Sequence, residues 1–567
     1  MRCIVIMCSK KALASAGVRG NSFRFLKNMD FLLVNFLTLA ALGLRLLSLH
    51  FYHFVGVDGG VDGVGYAISG RNLFSGLGYS FQGYPQLVNP PLYPILIGIS
   101  SLLTHDLEFS GQIVSVIAGS LLVVPVFYLA KEMYTRETGI LCAVFVVICS
   151  PLIFGSTEIR VASLYTLLLS ALVAIGWKAL GSHHLIWSAL TGLMLALCYL
   201  TRAEAIVFVP IFLLLYLLLF KVEVGFSSSI MKSMVSKGAT LIVVFALVSS
   251  PFWIFLYRHT DRWTLSARGP YTFVGYYGGN FEKDNFELAS NPEAAQLKWL
   301  EQGGLLNFVI SNRHKLLATW VQNVVSMWSG HDRQAKLLGI PRWVLRSGVV
   351  LLAAFASFGL IRFVRARYMA AKHIYLIVIA CSSLIYFFFA IDWRYFYPYI
   401  PFFLIGLAQL AIMIRDWGRK NGYHADRAFA RVFVYLPIGV LLVGMSSYSG
   451  VLIGKKINYA PYEYKIMGQW MKENIDNVES KIVTSRKMGV PFYAGTKHEP
   501  LHYGEYPELI AYARSRKVDY VVIDQWTIPQ TRPQFAFLLK EDTKYPGLEL
   551  VHTVTYKGRK IVLYRIE

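Results

Sequence analysis

Long apolar runs separated by short polar connections dominate the first 453 residues of this chain. They fall at 31–51, 112–130, 139–154, 164–180, 185–200, 205–220, 239–257, 344–361, 374–391, 395–414 and 432–453. Each is near the roughly 20 residues that cross a ~30 Å hydrocarbon slab. Backbone polar groups cannot stay unpaired in lipid, so the runs are predicted helices. A shorter stretch, 90–103, opens with Pro90-Pro91 and is too short to span, which predicts a re-entrant or interfacial helix. After residue 453 the pattern changes. Helical periodicity occupies 462–474 and 505–516, buried-strand patterns occupy 481–485 and 518–524, and 548–556 with 560–565 reads as a closing strand pair. The fold class predicted is an α-helical polytopic membrane protein of about eleven spans with a small C-terminal α/β domain.

The organisation that follows is a basic tail over 1–30, a transmembrane domain over 31–453 and an extracytoplasmic α/β domain over 454–567. Within the membrane domain, 53–89 forms a first external loop and 258–342 a polar external insertion. No internal repeat is visible, which weakens a transporter reading, because many transporters are built from repeats.

Composition agrees with the pattern. Apolar residues make up 55% of 567 positions and charged residues 16%, where a soluble domain carries about 25% charge. Mean hydropathy is +0.48. The net charge of +22 raises the question of nucleic acid. However, the basic residues cluster in short connections at 131–136, 221–237, 362–372 and 415–431 and in the N-terminal tail, the distribution of a membrane protein's cytoplasmic side. Nucleic acid is therefore excluded as a partner, and a multi-pass plasma (inner) membrane protein is expected, with its N-terminus cytoplasmic and its C-terminal domain outside. Either Met1 or Met29 can serve as the start. The six cysteines lie in the tail or in apolar runs, so no disulfide framework or CxxC metal pattern is implied.

The chemistry concentrates in the first external loop. Asp58 and Asp62 stand in a glycine-rich stretch, DGGVDG, just after the first apolar run. Two consecutive turns or a helix cap account for such aspartates as well as catalysis does. The spacing does not match a calcium loop. Arg45 lies inside an apolar run, at a cost of about 2.5–3.5 kcal/mol by insertion scales, so a structural ion pair, snorkelling and phosphate contact all stay open for it. Scattered histidines give no zinc spacing, and no phosphate-binding glycine loop supports a nucleotide-sugar donor.

Several short motifs add a resemblance. Asp62 is followed by Tyr66 and Ala67, Arg71-Asn72-Leu73, Gly76, Gly78-Tyr79-Ser80 and Pro90-Pro91-Leu92-Tyr93-Pro94. Further on come Leu200-Thr201-Arg202-Ala203-Glu204 and Trp393-Arg394-Tyr395 with Pro398 and Pro401. In order and spacing this set resembles the GT-C membrane glycosyltransferases, most closely the family-39-like branch of protein O-mannosyltransferases and lipid A aminoarabinose transferases. The resemblance spans roughly 31–415. Ala203 replaces the proline usual in that junction. Ala162 and Ser163 stand where a second acid is usual, with Glu158 one helical turn earlier.

The resemblance implies an inverting transfer of a sugar from a polyprenyl-phosphate-linked donor to an acceptor on the extracytoplasmic face. It implies Asp62 as catalytic base, Asp58 as an accessory carboxylate or a turn residue, and Glu158 as a substitute for the missing second acid. Arg202 and Arg394 are the favoured phosphate contacts, with Tyr395, Arg71 and Arg45 beside them. Tyr66, Pro90, Pro91 and Tyr93 would wall the lipid entrance. The leaving phosphate is already stabilised as an anion, so one base suffices where a glycosidase needs two carboxylates. The resemblance implies no particular cofactor, and a divalent cation stays open. The expected partners are the lipid-linked donor, membrane lipid and an acceptor that is a protein, a lipid or a polysaccharide. The rival readings are a transporter or flippase of lipid-linked sugars and a non-catalytic cell-envelope assembly protein.

Overall fold

The computed structural model describes residues 19–52, 55–57, 61–224, 228–267, 286, 304–329, 367–388, 393–420, 436, 438–440, 442–447, 450–451 and 460–567. The membrane region opens with α1 (Arg19–Phe51), α2 (Val61–Phe74) and a two-stranded hairpin of β1 (Ser80–Phe81) and β2 (Tyr84–Pro85). There follow α3 (Leu92–Thr104), α4 (Leu107–Leu121), α5 (Val123–Met133), α6 (Arg136–Ile148), α7 (Ser150–Phe154), α8 (Ala162–Gly181), α9 (Leu185–Tyr199), α10 (Phe208–Val224) and α11 (Ser228–Thr260). Later come α12 (Gly304–Ser311), α13 (Arg313–Ser329), α14 (Arg367–Cys381), α15 (Trp393–Phe396) and α16 (Ile400–Lys420).

Among the described residues, five helical segments are long and apolar enough to cross a membrane: Asn28–Phe51, Leu107–Met133, Ala162–Gly181, Lys232–Thr260 and Tyr397–Gly418. Shorter apolar helices include Leu92–Thr104, Leu185–Tyr199, Ala203–Leu217 and Ile374–Phe388. The predicted run 344–361 and most of the insertion 258–342 lie outside the described residues, so the structure does not establish a count of eleven. The predicted run 139–154 is not a single helix. Over 139–154 the chain extends at Cys149 (ψ 109°) and restarts as α7 with Pro151 in its first turn, where the missing N–H does no harm.

Local sequence explains the boundaries that position the site. Asp106 caps α4 by accepting a hydrogen bond from the Phe109 amide at 3.0 Å, and Thr135 caps α6 through the Thr138 amide at 3.2 Å. The predicted short stretch becomes α3, which lies against α2 at a glycine contact. A Cβ on Gly98 would stand 2.6 Å from the Gly70 carbonyl oxygen and would also run into the Phe74 ring. Only glycine lets the two backbones come that close. Ile99, Leu102 and Leu103 point outward from α3 and leave an apolar edge exposed.

The main core runs through α1, α5, α6, α8, α9 and α16, with Phe127, Phe145, Tyr165, Tyr199 and Tyr375 fully buried. At one end of the bundle, Asp30 pairs with Lys131 and with Arg136 at 2.6 Å, and Arg415 pairs with Glu137 and with Asp416 at 2.7 Å. Basic residues from connections predicted to share one side of the membrane thus meet at one end.

The C-terminal unit is a five-stranded mixed sheet in the order β4-β3-β5-β7-β6, with β3 (Ile482–Ser485), β4 (Lys497–Pro500), β5 (Tyr520–Asp524), β6 (Leu548–Tyr556) and β7 (Arg559–Ile566). β3 pairs parallel with β4 and β5, while β7 runs antiparallel to β5 and β6. One core, with Tyr464, Met467 and Met471 of α17 (Tyr462–Asn474), covers one face, and a second, with Leu509 of α19 (Tyr506–Ser515), covers the other. Between β3 and β4 sits α18 (Gly489–Ala494), which the strand and helix patterns did not reveal.

Candidate functional site

The end of the membrane domain that meets the C-terminal unit holds two of the acids singled out in the sequence, Asp62 and Glu158. Asp62 lies in the first turn of α2 and is exposed to solvent. The next residue, Gly63, packs against the backbone of Ile159, to whose carbonyl oxygen an added Cβ would come within 3.1 Å. Ile159 stands between Glu158 and Arg160, so the structure brings the Asp62 turn beside the Glu158 segment. Glu158 is buried and its Oε2 lies 2.7 Å from Arg160 Nε. Asp58 lies outside the described residues.

A second group forms around Arg202. The Thr201-Arg202 junction follows α9, and the Arg202 guanidinium is buried against three tyrosine rings. Its centre lies 5.4 Å from the Tyr165 and Tyr395 centroids and 5.9 Å from Tyr386, with Tyr386 and Tyr395 stacked 5.0 Å apart. Cation–π contact of this kind contributes about 0.5–2 kcal/mol per well-placed pair. Arg202 Nη2 donates to Glu204 Oε1 at 3.0 Å, while Nε has no hydrogen-bond partner among the described residues. The structure thus unites Arg202 with Tyr395 and adds Tyr165 and Tyr386, which sequence reasoning missed. Arg394 lies on α15 beside Tyr395, but its side chain is outside the described residues.

Arg45 is fully buried in α1, so it does not snorkel. Its Nε donates to Ser156 Oγ at 3.2 Å and its Nη1 to the Ala41 carbonyl at 3.1 Å, while Nη2 has no partner among the described residues. No carboxylate forms an ion pair with it among the described residues. Arg71 sits at the opposite end of α2 from Asp62, about 13 Å along the axis, exposed and bonded to Asn72 Oδ1 at 3.3 Å.

The residues expected to wall a lipid entrance are internal. Tyr66 and Tyr93 are buried edge-to-face at 5.3 Å, and Tyr93 Oη hydrogen-bonds to Ser115 Oγ at 2.7 Å and donates to the Gly111 carbonyl at 3.1 Å. Pro90 is buried and Pro91 half-buried at the start of α3, where the Leu92 amide donates to the Leu200 carbonyl at 2.9 Å. Tyr66 and Tyr93 thus pack α2 and α3 against α4, because a buried tyrosine hydroxyl needs an internal acceptor, while the Leu92 amide ties α3 to the segment before Arg202.

Another acid was not anticipated. Glu108, in the first turn of α4, is buried. It accepts from the Gly56 amide at 2.7 Å and from Lys465 Nζ at 2.7 Å, and Tyr493 Oη donates to it at 2.5 Å. Lys465 and Tyr493 belong to the C-terminal unit, 357 and 385 residues away in the chain, and no local pattern marks them. Among the described residues no three His, Cys, Asp or Glu side chains are placed to hold a metal ion.

Residues 88–255 match the family described as dolichyl-phosphate-mannose-protein mannosyltransferase. No curated protein matches the sequence. Among solved structures, the apo oligosaccharyltransferase of Archaeoglobus fulgidus superposes with a TM-score of 0.55 at 13% identity, covering 88% of this chain and 70% of that one. Apo ArnT from Cupriavidus metallidurans gives 0.54 at 12% identity over 95% of this chain and 98% of that one. The same ArnT bound to undecaprenyl phosphate gives 0.52 at 13% identity, covering 92% and 97%. The helical bundle and C-terminal sheet share the fold of these glycosyltransferase structures, and residues 88–255 match the mannosyltransferase family.

Proposed function

We propose that the protein transfers a sugar from a polyprenyl-phosphate-linked donor to an acceptor on the extracytoplasmic face of the membrane, inverting the anomeric carbon. The observation that carries this reading is a contrast in access among the acids at the site end. Glu108 and Glu158 are buried, whereas Asp62 is solvent-exposed on the first turn of α2 beside the Glu158 segment. An exposed carboxylate at that place is accessible to an acceptor. A solved structure of this fold that holds undecaprenyl phosphate supports a lipid-linked donor.

In this scheme Asp62 takes the proton of the acceptor hydroxyl as its oxygen attacks the anomeric carbon. The carbon–oxygen bond to phosphate breaks, and the electron pair leaves on the phosphate. No protonated leaving group is required, so one base supplies about 10²–10⁴-fold. The Arg202 Nε–H is suited to a phosphate oxygen, since a buried donor without a partner is costly and guanidinium–phosphate bonds are strong. Among the described residues, Arg45 and Arg160 are further cations near the Glu158 segment, and the resemblance adds Arg394. Tyr386 and Tyr395 hold the Arg202 plane in place.

The test is transfer of label from a polyprenyl-phosphate sugar pool in membranes carrying the wild-type protein. A labelled product supports the enzyme. Movement of lipid-linked sugar across the membrane with no transfer product would replace it with a flippase.

A further inference from the structure

The contacts of Glu108 join three parts of the molecule that the chain keeps far apart. Its Oε1 holds the Gly56 amide at 2.7 Å and its Oε2 holds Lys465 Nζ at 2.7 Å, with Tyr493 donating to Oε1 as well. The Gly56 carbonyl in turn accepts from the Ile159 amide at 3.0 Å. A single buried carboxylate therefore fixes the segment 55–57 that leads to Asp62 and, through it, the Glu158–Arg160 segment. Its charge is matched from the C-terminal unit by Lys465.

The same junction is packed as well as charged. Val57, Val64, Tyr66 and Ile159 share a core with Met488, and Phe492 and Tyr493 of α18 pack against it. Gly56 leaves no room for a side chain, since an added Cβ would stand 2.8 Å from the Gln112 side chain. The Lys465 ammonium also lies 5.5 Å from the Tyr493 ring centroid, so cation, phenol and carboxylate hold one another. Charge-assisted hydrogen bonds inside such a junction are stronger than exposed ones, and removing one partner strands the other.

We propose that the C-terminal unit sets the position of the Asp62 turn through this clamp, so that Glu108 and Lys465 are positioning residues for sugar transfer. The proposal rests on Asp62 being the base, as argued above. It makes the C-terminal sheet part of the catalytic apparatus through its contact with the loop. Chemistry that depends on placing a base within hydrogen-bond reach falls steeply when that base shifts by an ångström, on the order of 10²-fold.

The test uses the full-length protein in nanodiscs and two readouts. Hydrogen–deuterium exchange at 55–57 reports the clamp without any substrate, and steady-state transfer reports its consequence. Lys465→Met is expected to speed exchange at 55–57 while leaving the α8–α9 core protected, and to lower kcat by on the order of 10-fold with donor KM little changed. Lys465→Arg should retain most activity, and Glu108→Gln combined with Lys465→Met should lose no more than the worse single variant. A purely structural role would instead lower the yield of folded protein with kcat per folded molecule intact. Unchanged exchange in Lys465→Met overturns the clamp, and faster exchange with unchanged kcat overturns its part in transfer. If the wild type transfers sugar from no donor, the base assignment fails while the exchange result still decides the clamp.

Discussion

Gly98→Ala probes whether the α2–α3 contact holds Asp62 in place. The added methyl would stand 2.6 Å from the Gly70 carbonyl oxygen, where ordinary contact begins at 3.4 Å, so the two helices must part by about 0.8 Å. The Phe74 ring blocks the other direction of relief. Overpacking of this kind costs about 1–3 kcal/mol, which lowers the melting temperature of the solubilised protein without unfolding it. Because α2 carries Asp62 in its first turn, a shift of that size is expected to lower kcat by on the order of 10- to 100-fold. The assay is initial-rate transfer from a labelled polyprenyl-phosphate sugar in proteoliposomes, normalised to monodisperse protein. Gly43→Ala is the matched control, since nothing lies within 4 Å of its added Cβ and a helical glycine-to-alanine change is favourable by about 0.5–1 kcal/mol. Wild-type transfer by Gly98→Ala, with Gly43→Ala equally active, would refute the claim that this contact positions the base.

Three further outcomes are expected. Arg202→Lys keeps the charge but loses the guanidinium's contacts with the Tyr165 and Tyr395 rings, so melting should fall by an amount equivalent to about 0.5–2 kcal/mol and donor KM should rise. Acidification should loosen the C-terminal unit. Burial holds His498 down at about 4, and burial also lowers His502 and His552, while the ordinary value is 6.5. Lowered values in the fold mean that this stabilisation is complete above pH 6.5 and is lost as the pH falls toward 4. Glu463, raised by burial, titrates the opposite way and trims the effect. Melting of the full-length protein at about pH 7.5 and about pH 5.5 checks the sign. At His498 the loss has a visible cause: Nε2 faces the Ser485 carbonyl and Nδ1 faces Gln82 Nε2, each at 3.1 Å, so a second proton would meet an amide N–H. Gln82→Glu, which accepts that proton, should therefore shift the acid transition to lower pH.

Much of this was legible in the sequence where one element decides its own fate. The strands at 482–485, 520–524, 548–556 and 559–566 follow patterns of apolar residues, and α17 follows its 3.6-residue period. β4 was not legible, because Lys-His-Glu-Pro is a polar edge strand without alternation. The extended break at Cys149 was hidden inside a run of uniform hydropathy, where only Pro151 hinted at it. The site was legible in part for a different reason. Motif order pointed to Asp62, Arg202 and Tyr395, and the fold does bring Arg202 and Tyr395 together. Tyr165 and Tyr386 reach the same guanidinium from separate helices, and Lys465 reaches Glu108 across 357 residues, which no local period encodes. Arg71 and Tyr93 looked equivalent to their neighbours in sequence, yet helix geometry sends one to the far end of α2 and buries the other.

Sugar transfer by Asp62→Asn is the measurement that bears most directly on the central claim. The substitution keeps the size of the side chain and its place in the first turn of α2, so the folded protein should accumulate normally and still bind the lipid donor. With the proton acceptor gone, kcat should fall by about 10²–10⁴-fold, and Asp62→Glu should recover part of it. An Asp62→Asn protein that transfers sugar at the wild-type rate would contradict the account and remove Asp62 from the reaction.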